Sequence, residues 1–274
     1  MPVLSAIAPF GFSFDPTRFL SAYRSIGCTT CQFYRNEQRP PKIIDALKAT
    51  ADAGLKFDSI HGVFGFHIDP SSPDALHRKR CVDIYEAEGK LANDLGGPMV
   101  VVHPSAWNPG MRMMTLEEVE AASAPRWPRL HEFMMAMAEV GHRLNVVYLI
   151  ENQPRNCPLG QDTVKLAEAV LKINSPHVRM CLDTGHAHMT GDLIETTRKA
   201  LPAISYFHVH DNDMKVDDHR MPFDGNIPWD KFAALLRETN APQPRMLEVF
   251  YDEARVEELA RNGLGSRLQG ACAI

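Results

Sequence analysis

The segment from Val178 to His188 places groups that can bind a metal directly after an apolar run. Its first part, Val178–Leu182, has the length of a buried strand, and Asp183 and His186 follow at once. A carboxylate and an imidazole at one strand end offer a hard oxygen and a neutral nitrogen ligand. A lone pair of this kind more often means an N-cap Asp and a surface His. The metal interpretation therefore depends on the other strand ends.

Six predicted strands in succession carry a histidine or an acidic residue at the carboxyl end. These residues are His61, His103, Glu151, Asp183 with His186, His210 and Glu248. Taken singly, each of them could cap the next helix or pair with a neighbour. In a parallel barrel, however, the carboxyl ends of all strands face one rim and converge on one pocket. The repetition therefore predicts a shared metal site.

The elements that must position these residues alternate along the chain between apolar runs and amphipathic helical stretches. The predicted strands are Val3–Ala8, Cys28–Phe33, Lys56–Ile60, Met99–Val102, Asn145–Ile150, Val178–Leu182, Ile204–Val209 and Arg245–Val249. Helix starts are marked by Asp15 before Pro16 and by the capping box that begins at Thr115. Eight such repeats predict a (β/α)8 TIM barrel of the α/β class.

A doubly wound open sheet is the alternative architecture, but its nucleotide-binding versions lack support here. The chain contains neither a Gly-x-Gly-x-x-Gly turn nor a Walker-type loop. No linker rich in Gly, Ser or Pro divides the sequence. We therefore expect residues 1–274 to form one domain.

Composition limits the classes of partner and compartment. The chain has 274 residues, is 45% hydrophobic and carries a net charge of -5, with no long basic stripe, which argues against a nucleic-acid partner. Six scattered cysteines indicate a reducing compartment, and Cys28 and Cys31 are interpreted as ordinary strand residues. The start MPVLSAIAPF lacks a basic signal region, and no apolar run is long enough to span a membrane. We expect a cytoplasmic protein.

The predicted ligand set favours hard or borderline divalent cations. It is rich in carboxylates, has few imidazoles and contains no thiolate, which suits Mn2+, Mg2+, Co2+ or Zn2+. The predicted inner ligands are Glu151, Asp183, His210 and Glu248. A sugar chelated through a carbonyl and the adjacent hydroxyl would lie between the two glutamates. One glutamate could then remove a proton and the other return it, with His186 bonded to the substrate oxygen.

Four motifs carry a family resemblance: the Glu151 strand end, CLDTGHAH from Cys181, HVHDND from His208 and LEVF from Leu247. Together they resemble the xylose isomerase-like TIM-barrel superfamily, which includes sugar phosphate isomerases and epimerases, ketose 3-epimerases, inosose-processing enzymes and endonuclease IV. In the ketose 3-epimerase branch the resemblance implies metal binding by the same four ligands. It also implies that the two glutamates form the acid/base pair and that His186 contacts the substrate.

The two best-matched branches differ from this chain in different ways. Ketose 3-epimerases have an arginine six residues after the strand-seven histidine, where this chain has Val216, and Arg220 is the proposed substitute. The endonuclease IV branch binds three zinc ions and adds a D-x-H motif, matched by Asp217 and His219. The loop after His61, GVFGFHIDP, does not resemble the DNA-penetrating loops of that branch.

The leading hypothesis is a metal-dependent isomerase or epimerase of a sugar, inositol derivative or polyol ketone. A lyase or dehydratase on a keto-sugar is a close variant, since the same enolate can expel a hydroxyl group. An endonuclease IV-like zinc phosphodiesterase and a non-catalytic sugar-binding barrel are the other classes. The expected substrate contacts are His186, His61, His103, Trp107 and Arg220, while His208 is expected to support the ligands from behind. The sequence leaves the substrate open, and a homo-oligomer is compatible with it.

Overall fold

The computed structural model describes residues 3–106 and 112–271. Eight parallel strands form a closed barrel in chain order. Its closure is direct, because β1 pairs with β2 on one side and with β8 on the other. The strands are β1 (Leu4–Phe10), β2 (Thr30–Arg35), β3 (Phe57–His61), β4 (Met99–Val102), β5 (Val147–Glu151), β6 (Val178–Asp183), β7 (Ile204–Val209) and β8 (Arg245–Leu247). This confirms the predicted TIM barrel.

Helices cover the outside of the barrel, so the strands are buried on both faces. In the described ranges they are α1 (Pro16–Ser25), α2 (Ile43–Asp52), α3 (Ala75–Leu95), α4 (Leu116–Ser123), α5 (Trp127–Leu144), α6 (Thr163–Ile173), α7 (Thr184–Thr190), α8 (Leu193–Ala200), α9 (Trp229–Glu238), α10 (Glu253–Arg261) and α11 (Leu264–Ala271). A 3-10 turn at Leu201–Ala203 follows α8. None of the described helices is long and apolar enough to cross a membrane.

Side-chain caps start the two helices for which the sequence predicts them. Asp15 accepts a hydrogen bond from the Arg18 amide, and Thr115 and Glu118 form the expected capping box. Strand bounds differ from the prediction by one or two residues, so Cys28 precedes β2 and only Cys31 lies within it. The described cysteines are buried and free of disulfides.

A polar cluster lies inside the barrel near the amino ends of the strands, at the opposite end of β3 and β7 from the carboxyl-terminal rim. The Asp58 carboxylate accepts hydrogen bonds from the hydroxyls of Thr30, Ser59 and Tyr206. The Ser59 hydroxyl also lies 3.0 Å from the Tyr206 hydroxyl oxygen. This cluster ties β2, β3 and β7 together below the carboxyl-terminal rim.

Candidate metal centre

The carboxyl ends of the strands surround a cavity of about 160 Å³. Acidic and imidazole side chains form most of its polar wall, as the strand-end pattern predicts. The lining consists of Tyr34, His61, Phe64, His103, Glu151, Gln153, Pro154, His186, Asp217, His219, Glu248 and Phe250. Tyr34, Gln153 and Phe250 line the cavity but were not predicted as site residues. Each lies at or just beyond the end of a strand, and this position is the sequence signal from which they could have been predicted.

Two glutamates meet at the centre of this cavity through one imidazole. His208 Nδ1 lies 2.6 Å from Glu151 Oε1 and 3.0 Å from Glu248 Oε2. Both carboxylates are almost fully buried, although they come from β5 and from the residue after β8. One ligand atom from each of Glu151, His208, Glu248 and Asp183 lies within 4.8 Å of every other. These four residues form what we call the central group.

The histidine of the central group is His208, whereas His210, which the sequence predicts as a ligand, lies in a different group, so its ligand role stays a prediction. His208 pairs in register with Asp183 across β6 and β7, so the two side chains enter the barrel at the same level. His210 follows the end of β7 and lies one layer higher. Residues two apart on a strand share a face, so the pattern alone does not say which of them is deep enough to reach the glutamates.

Two strand-end histidines form a second group with Glu151. His103 Nε2 lies 3.0 Å from Glu151 Oε2, and His61 Nε2 lies 3.9 Å from the same oxygen. His61 is also 4.0 Å from Glu248 Oε1. Glu151 therefore faces the central group with one oxygen and the pair of histidines with the other.

A third group combines His210 with residues from the loop after β7. His186, His210, Asp217 and His219 each place one ligand atom within 4.8 Å of the others. His186 Nε2 is 3.0 Å from Asp217 Oδ2, and the rings of His210 and His219 stack with centroids 3.9 Å apart. Gly185 makes this packing feasible, because a Cβ there would lie 2.0 Å from His210 Cε1.

Helix α7 explains how Asp183 and His186 are positioned together. Asp183 is the N-cap of this helix, with Oδ1 accepting the His186 amide at 2.7 Å. The same oxygen lies 3.0 Å from His210 Nε2. The helix-cap explanation and the metal-ligand explanation of this motif are therefore compatible, because the cap uses Oδ1 and leaves Oδ2 without a hydrogen bond among the described residues.

The loop from 211 to 229 is anchored by Asp211. Its carboxylate accepts hydrogen bonds from the amides of Phe223 and Ile227 and from the indole of Trp229. A backbone bridge also joins Asp211 to Arg220. These bonds fold the loop back over the rim and so deliver Asp217 and His219 to the cavity.

The structure does not bring one predicted substrate contact, Arg220, to the cavity. Arg220 is absent from the described lining, because its guanidinium bonds Asp218 Oδ2 at 2.6 Å and lies 3.7 Å from Asp213. The antiparallel bridge to Asp211 holds its backbone on the outer side of the loop. Trp107 lies outside the described residues.

The charges of this centre are distributed as imidazolium and carboxylate pairs. Burial raises the pKa of the Glu151 carboxyl, but His208 and His103 lower it more, so this pKa lies well below its usual range. Glu248 behaves in the same way, mainly through His208. Burial lowers the pKa of His219, yet its contact with Asp217 raises that pKa to about 9. Both glutamates are therefore ionised at neutral pH.

His61 behaves differently from the other imidazoles of the centre. Burial and the neighbouring His103 ring lower the pKa of His61 to about 4, more than Glu151 and Glu248 can offset. Its Nδ1 contacts the Gly62 carbonyl oxygen at 2.9 Å, a geometry in which this nitrogen carries the proton and Nε2 presents a lone pair. His61 is thus a neutral imidazole aimed at Glu151.

The donor atoms of this centre fit a bound cation. Buried polar atoms left without a partner cost about 1–3 kcal/mol each, and a metal ion can supply the missing contact. Glu248 Oε2 is one such atom without a hydrogen bond. It lies 3.0 Å from His208 Nδ1, but that nitrogen forms its hydrogen bond with Glu151. Among the described residues, the unpartnered atoms here are His103 Nδ1, Asp183 Oδ2, His208 Nε2, His210 Nδ1, Asp217 Oδ1 and Glu248 Oε2.

Residues 20–267 match the family described as xylose isomerase-like TIM barrel. The chain belongs to this family. It is 25% identical to the uncharacterized protein y4fM of Sinorhizobium fredii over 232 residues, covering 77% of this chain and 72% of that protein. It is 26% identical to the uncharacterized protein MJ1311 of Methanocaldococcus jannaschii over 202 residues, covering 72% and 66%.

Solved structures share the fold at low sequence identity. An L-ribulose 3-epimerase superposes with a TM-score of 0.78 at 20% identity, covering 99% of this chain and 96% of the other. D-psicose 3-epimerase from Clostridium cellulolyticum H10, solved with D-tagatose, gives 0.73 at 16% identity and 99% coverage of both chains. The 3-keto-D-glucoside 4-epimerase YcjR from E. coli gives 0.72 at 15%, covering 97% and 100%. At these identities the likeness establishes the fold alone.

Proposed function

We propose that this protein is a divalent-metal-dependent isomerase or epimerase of a sugar, inositol derivative or related polyol ketone. The observation that carries the proposal is the meeting of Glu151 and Glu248 around His208 Nδ1, at 2.6 and 3.0 Å. Two ionised carboxylates from different sides of one small cavity can exchange a proton with a substrate held between them. The fold neighbours that act on ketoses and keto-glycosides agree with this chemistry.

Glu151, Asp183, His208 and Glu248 would hold the cation. A divalent ion bound there supplies positive charge that stabilises negative charge developing on the substrate oxygens. Glu151 or Glu248 removes the proton next to the carbonyl and, in an isomerisation, returns the same proton to the neighbouring carbon. In an epimerisation the other glutamate would return a proton that it has taken up from solvent before the substrate binds. Burial of both carboxylates excludes bulk water from the exchanging proton. His186 lines the cavity, but both of its ring nitrogens already have partners, Nδ1 the Asn152 carbonyl oxygen at 2.8 Å and Nε2 Asp217 Oδ2 at 3.0 Å. It would donate to a substrate oxygen only by giving up the contact with Asp217.

Solvent deuterium exchange tests this proposal directly. Protein loaded with Mn2+, Mg2+, Co2+ or Zn2+ is incubated in D2O with a panel of ketoses, inosose and keto-glycosides, and deuterium next to the carbonyl is measured by NMR. We expect incorporation for at least one compound and a loss of at least 10³-fold in Glu151→Gln and Glu248→Gln, the scale of a missing acid/base group. Glu168→Gln, at an exposed position on α6, is the matched control.

The outcomes separate the competing classes. Deuterium with a rearranged product supports isomerase or epimerase chemistry, whereas loss of water from the product identifies the dehydratase variant. If the wild-type protein binds a sugar but incorporates no deuterium into it, the non-catalytic sugar-binding class is supported. Exchange that survives both glutamine variants would overturn the assigned roles.

A second candidate is metal-dependent phosphodiester hydrolysis, and the grouping of donors around three centres favours it. Glu151 is shared between the central group and the histidine pair, and Asp217 joins a further group. Several adjacent cations can activate water and stabilise a leaving oxygen. This candidate predicts about three zinc ions per chain and cleavage of an abasic-site oligonucleotide that is lost in His61→Ala. The net charge of -5 opposes it, because DNA binding normally relies on basic phosphate contacts.

A further inference from the structure

A groove adjoins the catalytic cavity on the side of the ends of β1 and β2. It has a volume of about 460 Å³ and shares Tyr34, His61 and Phe64 with the cavity. Its outer part is formed by Phe12, which follows β1, and by the segment 36–38, which follows β2. The groove and the cavity are therefore neighbours that lie on either side of the same three rings.

Aromatic rings form one wall of this groove. The Phe12 ring is 39% exposed, yet it stacks on Tyr34 with ring centroids 5.6 Å apart and an angle of 24° between the planes. Tyr34 is held in turn by edge contacts to His61 and Phe250 at 5.4 and 5.5 Å. A supported, exposed ring beside a reaction cavity is a surface on which an apolar ring face can pack.

The polar side of the groove disfavours phosphate. Its arginine, Arg35, is committed to Glu88 through two hydrogen bonds of 2.6 and 3.1 Å. The remaining polar groups include the Asn36 and Gln38 amides and the exposed Glu37 carboxylate. Amides and a carboxylate bind hydroxyl groups well, whereas the carboxylate repels an anion.

The volumes of the cavity and the groove also indicate that both are used by one substrate. Sites for small molecules usually enclose about 300–1,000 Å³. The catalytic cavity, at about 160 Å³, is smaller than this, and the groove brings the combined space into the range.

We propose that the substrate carries a second, uncharged sugar ring that packs on Phe12 and Tyr34, so that the enzyme acts on a keto-glycoside or ketose-terminated disaccharide. This inference rests on the proposed function, since it takes the reacting ketone to lie at the central group. The ring face would pack against Phe12 while its hydroxyls bond the side chains of the segment 36–38. Phe12 is thereby a residue that selects the substrate by length.

The experiment compares substrates that differ only by the second ring. Mg2+-loaded protein is offered D-fructose and three glucosyl-fructoses, maltulose, leucrose and isomaltulose, and deuterium uptake from D2O gives kcat/KM for each. We expect at least one disaccharide to exceed D-fructose, and Phe12→Ala to lower the disaccharide-to-fructose ratio about tenfold. Phe66→Ala is the matched control, because that ring is 77% exposed and lies outside the groove.

A binding measurement separates this inference from the proposed reaction. Saturation-transfer NMR, with irradiation of the aromatic protons, reports whether the glucosyl ring contacts the protein, and we expect that signal to fall in Phe12→Ala but not in Phe66→Ala. Glucosyl contact without deuterium uptake supports the groove and rejects the reaction. Deuterium uptake by D-fructose with no disaccharide preference and no Phe12 effect overturns the groove and leaves the reaction standing. Neither contact nor uptake for any probe overturns both.

Discussion

At the scale of single residues, depth along a strand decides what each histidine of β7 can do. His208 lies level with Asp183 and touches both glutamates, while His210, two residues on, stacks against His219. The sequence predicts that both face the pocket, because they alternate with Val209. It does not predict their depth, which is set by the register between β6 and β7.

Alanine substitutions at these two histidines have different expected effects on metal binding. His208→Ala should weaken the tightest site by at least about tenfold, because it removes a donor from the central group. His210→Ala should leave that site and reduce binding at the group formed with His186, Asp217 and His219. Equilibrium dialysis against Mn2+ and Zn2+ measures both effects. If His210→Ala loses the tightest metal site and His208→Ala keeps it, then His210 is the ligand, as predicted from the sequence.

Metal affinity should rise with pH, and the imidazole shifts give the sign. The pKa of His219 is raised from 6.5 to about 9, so below pH 9 this ring holds a proton that a metal ion must displace. The pKa of His208 and that of His186 are raised as well, since the acidic neighbours outweigh burial. We expect the apparent affinity to rise about tenfold per pH unit for each proton displaced, flattening above about pH 9. Isothermal titration in buffers of different ionisation enthalpy counts the released protons, and a count of zero would contradict these charge states.

At the scale of elements, the structure contains two helices that were not predicted from the sequence, α7 within the site and α11 at the end of the described chain. Helix α7 was not predicted, because its first residues were interpreted as ligands and its seven residues show little periodicity. The bounds of the strands were predicted to within two residues. The loop over the rim could not be predicted, since its shape depends on bonds to Asp211 rather than on a repeating pattern.

Removal of the Asp211 carboxylate should loosen this loop and leave the barrel intact. Asp211→Ala deprives the Phe223 and Ile227 amides and the Trp229 indole of their acceptor, and we expect a loss of about 3 kcal/mol in the free energy of unfolding. The group containing Asp217 and His219 should bind metal more weakly, whereas the central group should not change. Asp213→Ala is the control, because Asp213 meets only Lys215 and Arg220 at the surface. Urea titration and metal counts on both variants test this, and equal effects would contradict the anchoring role.

At the scale of the whole molecule, stability and chemistry are located at opposite ends of the barrel. The rim carries the groups of histidine and acidic residues that could hold a metal ion, whereas Asp58 joins three hydroxyls between the amino ends of the strands. The alternation of eight apolar runs and helices was enough to predict this barrel and the rim where its strand-end residues meet. It could not predict the polar cluster, because Thr30, Ser59 and Tyr206 lie on separate strands.

Loss of the Asp58 carboxylate should lower stability and leave the rim unchanged. Asp58→Ala leaves buried hydroxyls without their acceptor, and we expect a loss of about 3 kcal/mol in the free energy of unfolding. Metal affinity and kcat/KM of the folded fraction should equal those of the wild type. Asp52→Ala, which removes a surface pair with Lys48, should lower the free energy of unfolding far less, because solvent screens this pair. Weaker metal binding by folded Asp58→Ala protein would show that the two ends are coupled.

Asp183 both caps α7 and belongs to the central group, so the order of the first turn of α7 should depend on whether a cation is bound. One oxygen closes the first turn of α7 and the other faces the pocket, so this turn cannot fray without withdrawing a donor. A cation bound to the free oxygen would fix the carboxylate and thereby the cap. Binding of a cation and ordering of that turn would then be a single thermodynamic event, and release of the cation would allow the turn to open.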